Sequence, residues 1–270
     1  MPNADRETIR LVEEAKMAAL ADLCFAAPHD LREAQRLVAR KFGSALVTCA
    51  PGWNSTHINC VLGLGLSTPA DESILDEIAE LYQEAGVQYS ICLSSIALPD
   101  ELHEWLYRRD FTHALTKGVL VRGRESLPRA DTSFRIELAD EYLARTFADV
   151  LVLAFGMPSF FALWLAATVG RAGWRHYLAF DEAEPVAAAS MFIAGKVGVL
   201  QFAATLPASR KRGAQTALIA RRVQDALESG CTLVVSETDP PEQSNPSFRN
   251  LRRMGFEVLD LQRSYHSPVP

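Results

Sequence analysis

The sequence predicts an α/β chain, more closely α+β, made of two similar domains over residues 1–125 and 131–270. Three observations lead there. Strand-like and helix-like stretches alternate along the chain, the pattern of layered sheet-and-helix folds. RGRESLPRADTSFR, residues 122–135, is polar and turn-rich, lacks periodicity and lies near the middle, as a linker would. The order of elements before it resembles the order after it, which a duplicated fold explains most simply.

In the first half, a long helix is expected over residues 8–27 and a second over 30–42. SALVTCAP and HINCVLGLGL read as strands, with the glycines of GLGL marking a bulge. ADESILDEIAELYQEAG places Ile74, Ile78, Leu81 and Tyr82 at helical spacing. VQYSICLSS follows as a strand, PDELHEWLYRRD as a helix and THALTKGVLVR as a strand.

In the second half, DEYLARTFADVLVLAFG and PSFFALWLAATVG are expected as helices, then RHYLAFD, PVAAASMFIAG and VGVLQFAATL as strands. AQTALIARRVQDALESG is a helix with Leu218, Ile219, Val223 and Leu227 on its apolar side. CTLVVSET, NPSFRNLRRMG and FEVLDLQRSYH close the chain as strand, helix and strand. Gly86 and Gly230 both fall where a helix should stop on a left-handed residue.

Several classes are disfavoured. Acidic residues outnumber basic ones 33 to 27, a net charge of −6, so a nucleic-acid grip over the whole surface is not expected. The cysteines Cys24, Cys49, Cys60, Cys92 and Cys231 show no CxxC spacing and read as buried thiols of a reducing compartment. His57, His103 and His113 form no HxxxH pair, and no metal site is expected. The N-terminal MPNADRETIRLVEEAK lacks an apolar secretory core, so the expectation is a cytoplasmic protein without a signal peptide. VLVLAFGMPSFFALWLAATVG, residues 150–170, carries no charge and has the length of a membrane span. Gly156 and Pro158 interrupt it, and the favoured reading is two short helices, buried or lining an apolar substrate pocket. A membrane span is the alternative.

The strongest local signal is TLPASRKRGAQTALIA. A strand ends at Pro207, and Arg210, Lys211 and Arg212 precede Gly213 at the mouth of a helix. The first amide N–H groups of a helix have no partner within it, and the helix dipole adds partial positive charge there. Such a place binds phosphate, Gly213 lets backbone approach closely, and Arg210 and Arg212 can add charge-assisted hydrogen bonds. The nucleotide-triphosphatase pattern GxxxxGK followed by Ser or Thr is absent, as is GxGxxG at this loop.

TLPASRKRGAQTAL resembles the acyl-CoA-binding motif of the GNAT superfamily of N-acetyltransferases: Arg or Gln, two residues, Gly, one residue, then Gly or Ala. Arg210 and Gly213 match, and Gln215 departs from the last position. NPSFRNLRRMGF is similar to the family's following motif, with Asn245 able to cap its helix and Pro246 suited to its first turn. The resemblance covers residues 132–266 and makes the first half a degenerate tandem copy. It implies the acyl-CoA N-acyltransferase fold, with a mixed, V-shaped sheet, and acetyl-CoA as co-substrate without a metal. Backbone at Ala203, Ala204 and Thr205 would pair with pantetheine. The N–H groups of Arg210, Lys211, Arg212, Gly213, Ala214, Gln215 and Thr216 would hold the pyrophosphate, with Asn245 near the pantetheine arm. The first half's GLSTPADESIL sets Asp71 and Glu72 at a helix start, where they would repel phosphate, so one CoA site per chain is expected.

Acetyl transfer needs a free amine, a positioned thioester and a proton for the departing thiolate. The family's usual tyrosine position, four residues before the glycine of GF, is Leu251. Tyr265 is an alternative acid if its hydroxyl reaches the sulfur, and Glu237 a candidate acceptor for the amine proton, with Ser236 behind it. Phe160, Phe161 and Trp164 are candidates for an acceptor pocket, with core packing as their ordinary role. The expected acceptor is a small-molecule amine or peptide, with no nucleic-acid or membrane partner and a homodimer among the open assemblies. An acyl-CoA sensor that has lost catalysis is the second reading.

Overall fold

The computed structural model describes residues 6–238, 242 and 244–270. The first half runs α1 (Arg6–Ala26), α2 (His29–Ala34), β1 (Val38–Phe42), β2 (Ala45–Cys49), β3 (Cys60–Leu62), α3 (Ser73–Ala85), β4 (Ser90–Leu93), α4 (Leu102–Arg108) and β5 (Thr112–Arg122). The second runs β6 (Arg135–Leu138), α5 (Ala144–Phe155), α6 (Phe161–Ala166), β7 (Trp174–Asp181), β8 (Glu184–Ala194), β9 (Val197–Thr205), α7 (Ala214–Glu228), β10 (Leu233–Thr238), α8 (Pro246–Arg253) and β11 (Glu257–His266).

Residues 30–42 are not one helix. α2 stops at Ala34, Arg36 turns left-handed at φ 46°, and Val38–Phe42 pairs with Ala45–Cys49 across a two-residue turn at Gly43 and Ser44. That tight hairpin, with Gly43 at φ 56°, outweighs the helix-favouring residues before it. GLGL is not a bulge either: β3 ends at Leu62, and Gly63 and Gly65 turn the chain at φ 76° and 69°. Other punctuation acts as its chemistry dictates. Gly86 caps α3 at φ 68°, Gly230 follows α7 at φ 89°, and Gly156, at φ 66°, ends α5. The uncharged stretch therefore divides into α5 and α6, and among the described residues no helix is long and apolar enough to cross a membrane. All five cysteines are buried and free.

The strands form one eleven-stranded sheet in the order β1-β2-β3-β4-β11-β5-β10-β9-β8-β7-β6. Pairing is antiparallel except for β3 with β4 and β9 with β10. Both halves close with helix, strand, helix, strand, and they trade the closing strand. β5, from the first half, lies between β10 and β11, while β11, from the second, lies between β4 and β5. The linker between the halves is thus crossed by sheet hydrogen bonds.

α1 packs across β8 and β9 on the same face as α5 and α6, around a core that includes Phe147, Phe161, Trp164, Val199 and Val235. Trp164 donates its indole N–H to the Leu23 carbonyl, 2.6 Å, fixing α6 to α1. A second core joins Leu218, Ile219 and Val223 of α7 to Met191, Val234 and Phe256. A third gathers Tyr82, Tyr89, Ile91, Leu106 and Tyr265 in the first half.

Candidate functional site

The two strands that bracket the site part company. β9 and β10 are paired only at Leu233 to Val197, Val234 to Gly198 and Val235 to Val199. Beyond that level β9 continues to Thr205 and β10 to Thr238 without pairing, which opens a split in the sheet. β9 also bulges there: Ala189 faces Ala203 and Ser190 faces Gln201, leaving Phe202 as the extra residue. A bulge strands carbonyl groups, and Arg222 of α7 collects them. Buried to 2 %, it donates to the Ser190 carbonyl at 3.0 Å, the Gln201 carbonyl at 3.1 Å and the Leu218 carbonyl at 3.0 Å. Burial pulls its guanidinium down to about 10, which still leaves it charged at neutral pH.

Ala203, Ala204 and Thr205 form the free end of β9 beside the split. A 3-10 turn over Pro207–Ser209 follows, then the basic loop. Lys211 takes φ 65° and Gly213 φ 88°, so left-handed residues alternate with Arg212. Backbone that alternates into the left-handed region is the kind that can gather successive N–H groups around an anion. The N–H groups of Lys211, Arg212, Gly213, Ala214, Gln215 and Thr216 find no acceptor among the described residues. The positive end of the fifteen-residue α7 dipole adds to them.

The side chains of this loop differ from expectation in two respects. Gly213 does not leave its open side to a ligand: a Cβ there would run into the Asp131 carbonyl oxygen and lie 3.3 Å from the Thr132 Cβ. The linker takes up that close approach, with Thr132 Oγ1 donating to the Arg212 carbonyl at 3.2 Å. Arg212 is not a free anion ligand either. It forms a bidentate pair with Asp181 at 2.5 and 3.0 Å and stacks on Phe134, 4.4 Å from the ring centroid. Arg210 Nε donates to the Thr205 carbonyl at 3.1 Å, tying the loop to the end of β9. Lys211 is exposed and makes no ion pair among the described residues.

Across the split stands Glu237, two residues past the last paired position of β10. Its Oε1 lies 2.8 Å from Nζ of Lys16, whose side chain is 4 % exposed while that of Glu237 is 39 % exposed. Lys16 also donates to Glu13 Oε1 at 2.7 Å and to Gln262 Oε1 at 2.8 Å. Desolvation pushes the Glu237 carboxyl up, but Lys16 and Lys117 outweigh it and hold the group below the usual carboxylate range. Glu13 moves the other way, raised by burial against the pull of Lys16. Glu237 is therefore a fixed negative charge rather than a strong proton acceptor.

The other expected residues are dispersed. Tyr265 does not accompany Glu237. Gly118 of β5 pairs with Thr238 on one side and with Leu261 on the other, so Tyr265 lies four residues beyond that level, about 13 Å along the sheet, and two strands away. It is buried in the first-half core, its hydroxyl 2.8 Å from His103 Nδ1. Asn245 caps α8, accepting from the Ser247 N–H at 2.8 Å and donating to Thr238 Oγ1 at 2.9 Å, so it braces the helix against the end of β10. Leu251 is buried, and Trp164 belongs to the core. The residues between Thr238 and Asn245 are largely outside the described residues.

In the first half, the loop that leads into α3 is filled by its own chain. Gly65 packs on the Leu98 backbone, accepting from the Leu98 N–H at 2.9 Å, and the Ala70 N–H bonds to the Leu98 carbonyl at 2.8 Å. Glu72 and Asp76 are held by Arg108 and Arg109. Sequence reading missed Lys16, Lys117, Gln262 and Arg222. Arg222 carried a signal, since it falls on the apolar stripe of α7 four residues after Leu218. Glu13 and Lys16 likewise interrupt the stripe of Ile9 and Val12 in α1.

Residues 138–256 match the model of the acetyltransferase (GNAT) family. No curated protein matches. Among solved structures, a GCN5-related N-acetyltransferase from Kribbella flavida superposes with a TM-score of 0.68 at 18 % identity, over 96 % of this chain and 95 % of that one. One from Sphaerobacter thermophilus gives 0.62 at 15 %, over 84 % and 82 %. A tandem GNAT protein from the clavulanic acid biosynthesis pathway gives 0.56 at 13 %, over 82 % and 73 %. At these identities the likeness is one of fold: a mixed α/β acyl-CoA N-acyltransferase fold that extends over both halves.

Proposed function

We propose that the chain, whose residues 138–256 match the model of the acetyltransferase (GNAT) family, is an acetyl-CoA-dependent N-acetyltransferase that works by direct attack of an amine. The observation that carries the reading is the row of unpartnered N–H groups from Lys211 to Thr216, beside the split of β9 from β10. Those donors would take the diphosphate, with Arg210 and Lys211 as flanking charge. The unpaired edge at Ala203, Ala204 and Thr205 would take the amide-bearing arm of the carrier as an added strand. The thioester would then reach the split. The acceptor nitrogen forms a bond to the acetyl carbon, the carbon–sulfur bond breaks, the nitrogen gives up its proton and the thiolate takes one. Leu251 offers no phenol for the last step, so water would supply that proton. Residues 1–125 and 131–270 would be related units, of which the first supports the second and binds no carrier. The acceptor would be a small-molecule amine or a peptide.

Calorimetric titration with CoA tests the cradle. One equivalent per chain is expected. The double substitution Arg210→Glu with Lys211→Glu, both on exposed side chains, should weaken binding about tenfold or more while thermal stability holds. Unchanged affinity would show that the diphosphate sits elsewhere. CoA release from acetyl-CoA only when an amine is present separates a transferase from a sensor that binds without turnover.

A further inference from the structure

The face of the split turned toward α1 and α6 has two unlike walls. On β10 it is Glu237, a charged group pinned by Lys16. On β9 it is Phe202, pushed out by the bulge and packed against the core of that face. Counting on from the last paired level, Val235 beside Val199, Glu237 stands two residues up β10 and Phe202, the bulged residue next to Gln201, three up β9, both beyond the point where the strands part. Phe202 starts an aromatic chain. Its ring lies 6.0 Å from Phe161, and Trp53 lies 4.8 Å from Phe161 and 5.9 Å, edge-on, from Phe160. Trp53 comes from the first half and is held firmly: its N–H donates to the Ala50 carbonyl at 2.8 Å, and its carbonyl accepts from Asn59 Nδ2 at 3.2 Å. Phe160, Phe202 and Trp53 are only partly buried, so this wall is not closed core.

We propose that the acceptor is a primary amine carrying an aromatic arm, its nitrogen beside Glu237 and its ring against Phe202, Phe160 and Trp53. This rests on the transferase reading above and narrows it to a substrate class. A carboxylate attracts the ammonium form of an incoming amine, and aromatic faces favour both a cation and an apolar ring. Among the groups around Glu237 the charges balance, Glu13 and Glu237 against Lys16 and Lys117. The member most open to solvent is the carboxylate, since Lys16 and Glu13 are buried and Lys117 is partly so. Lys16 is a positioning residue in this arrangement. It spends its three donors on Glu13, Gln262 and Glu237 and so fixes one carboxylate oxygen. The other oxygen accepts no hydrogen bond among the described residues. Acceptor selection is thereby shared between the halves: Trp53 and Lys16 come from the first, Phe202 and Glu237 from the second.

The test compares 2-phenylethylamine with ethylamine as acceptors for acetyl-CoA, reading CoA release. The aromatic amine should have a kcat/KM about tenfold or more above that of ethylamine, as expected for a ring taken out of water. Trp53→Ala should reduce that ratio toward one, chiefly through KM, with CoA affinity unchanged by calorimetry. Phe160→Ala serves as the second variant if Trp53→Ala fails to fold. Equal efficiency for the two amines, an undiminished ratio in both variants, or turnover of glycinamide in preference to the aromatic amine overturns the assignment. So does CoA binding without turnover of any of these amines. Absence of CoA binding by the unaltered chain would instead sink the transferase reading beneath it.

Discussion

Replacing Gly213 by alanine separates two costs that usually come together. Gly213 and Gly86 share a left-handed backbone, φ 88° and φ 68°, but differ in what a Cβ would meet. At Gly86 nothing lies within 4 Å, so Gly86→Ala carries only the conformational penalty, about 1 kcal/mol. At Gly213 the same penalty is joined by collision with the Asp131 carbonyl and tight contact with Thr132. The Asp131 backbone must move, at a cost of about 1–3 kcal/mol typical of overpacking. Moving it also strains the Thr132 bond to the Arg212 carbonyl. The total is about 2–4 kcal/mol. At about 2 °C per kcal/mol for a chain of this size, Gly86→Ala should lower Tm by about 2 °C and Gly213→Ala by about 4–8 °C. Differential scanning calorimetry of the two variants side by side is the assay. Equal losses would refute the reasoning, because they would mean that the linker does not press on this glycine.

Other perturbations have comparably defined outcomes. Arg222→Met strands the Ser190 and Gln201 carbonyls under α7 and should cost about 2–4 kcal/mol in urea denaturation, with weaker CoA binding as the bulge loosens. Lys16→Met leaves Glu13 and Glu237 facing each other without their shared cation, a loss of about 3–5 kcal/mol that Glu13→Gln in the same chain should partly restore; a double-mutant cycle reads the recovery. His176 is buried with Nδ1 unpartnered among the described residues, and burial drags its imidazole down to about 3. Folded chains stay neutral there while unfolded ones take up a proton below about 6.5, so its stability contribution is complete above that pH and drains away as pH falls toward 3. Between pH 7 and pH 5 the loss should be about 2 kcal/mol, and His176→Gln should remove that dependence in denaturant titrations at the two pH values.

Punctuation and loop chemistry were legible in the residues; partnerships were not. Pro207, the basic triplet and Gly213 announced a strand, a loop and a helix mouth, and Asn245 with Pro246 announced a capped helix, because each of these is a local backbone effect. β1 was hidden because ARKF follows a helix-favouring run and the break at Arg36 has neither Gly nor Pro to mark it. Arg212 was legible as a charge but not as Asp181's partner, 31 residues away in sequence. The same holds for Lys16 and Gln262, 246 residues apart. β5 and β11 both read as good strands, but periodicity reports a face, not a neighbour, so their exchange had no sequence signature.

That exchange decides what can be removed from the chain. Deleting everything before the linker would strip β5 from its place and leave β10 and β11 each with a bare row of main-chain donors and acceptors, an invitation to aggregate. The amino-terminal portion therefore cannot be shed without unpicking the sheet of the other half. Two halves interleaved in this way stand or fall together, each holding shut an edge of the other.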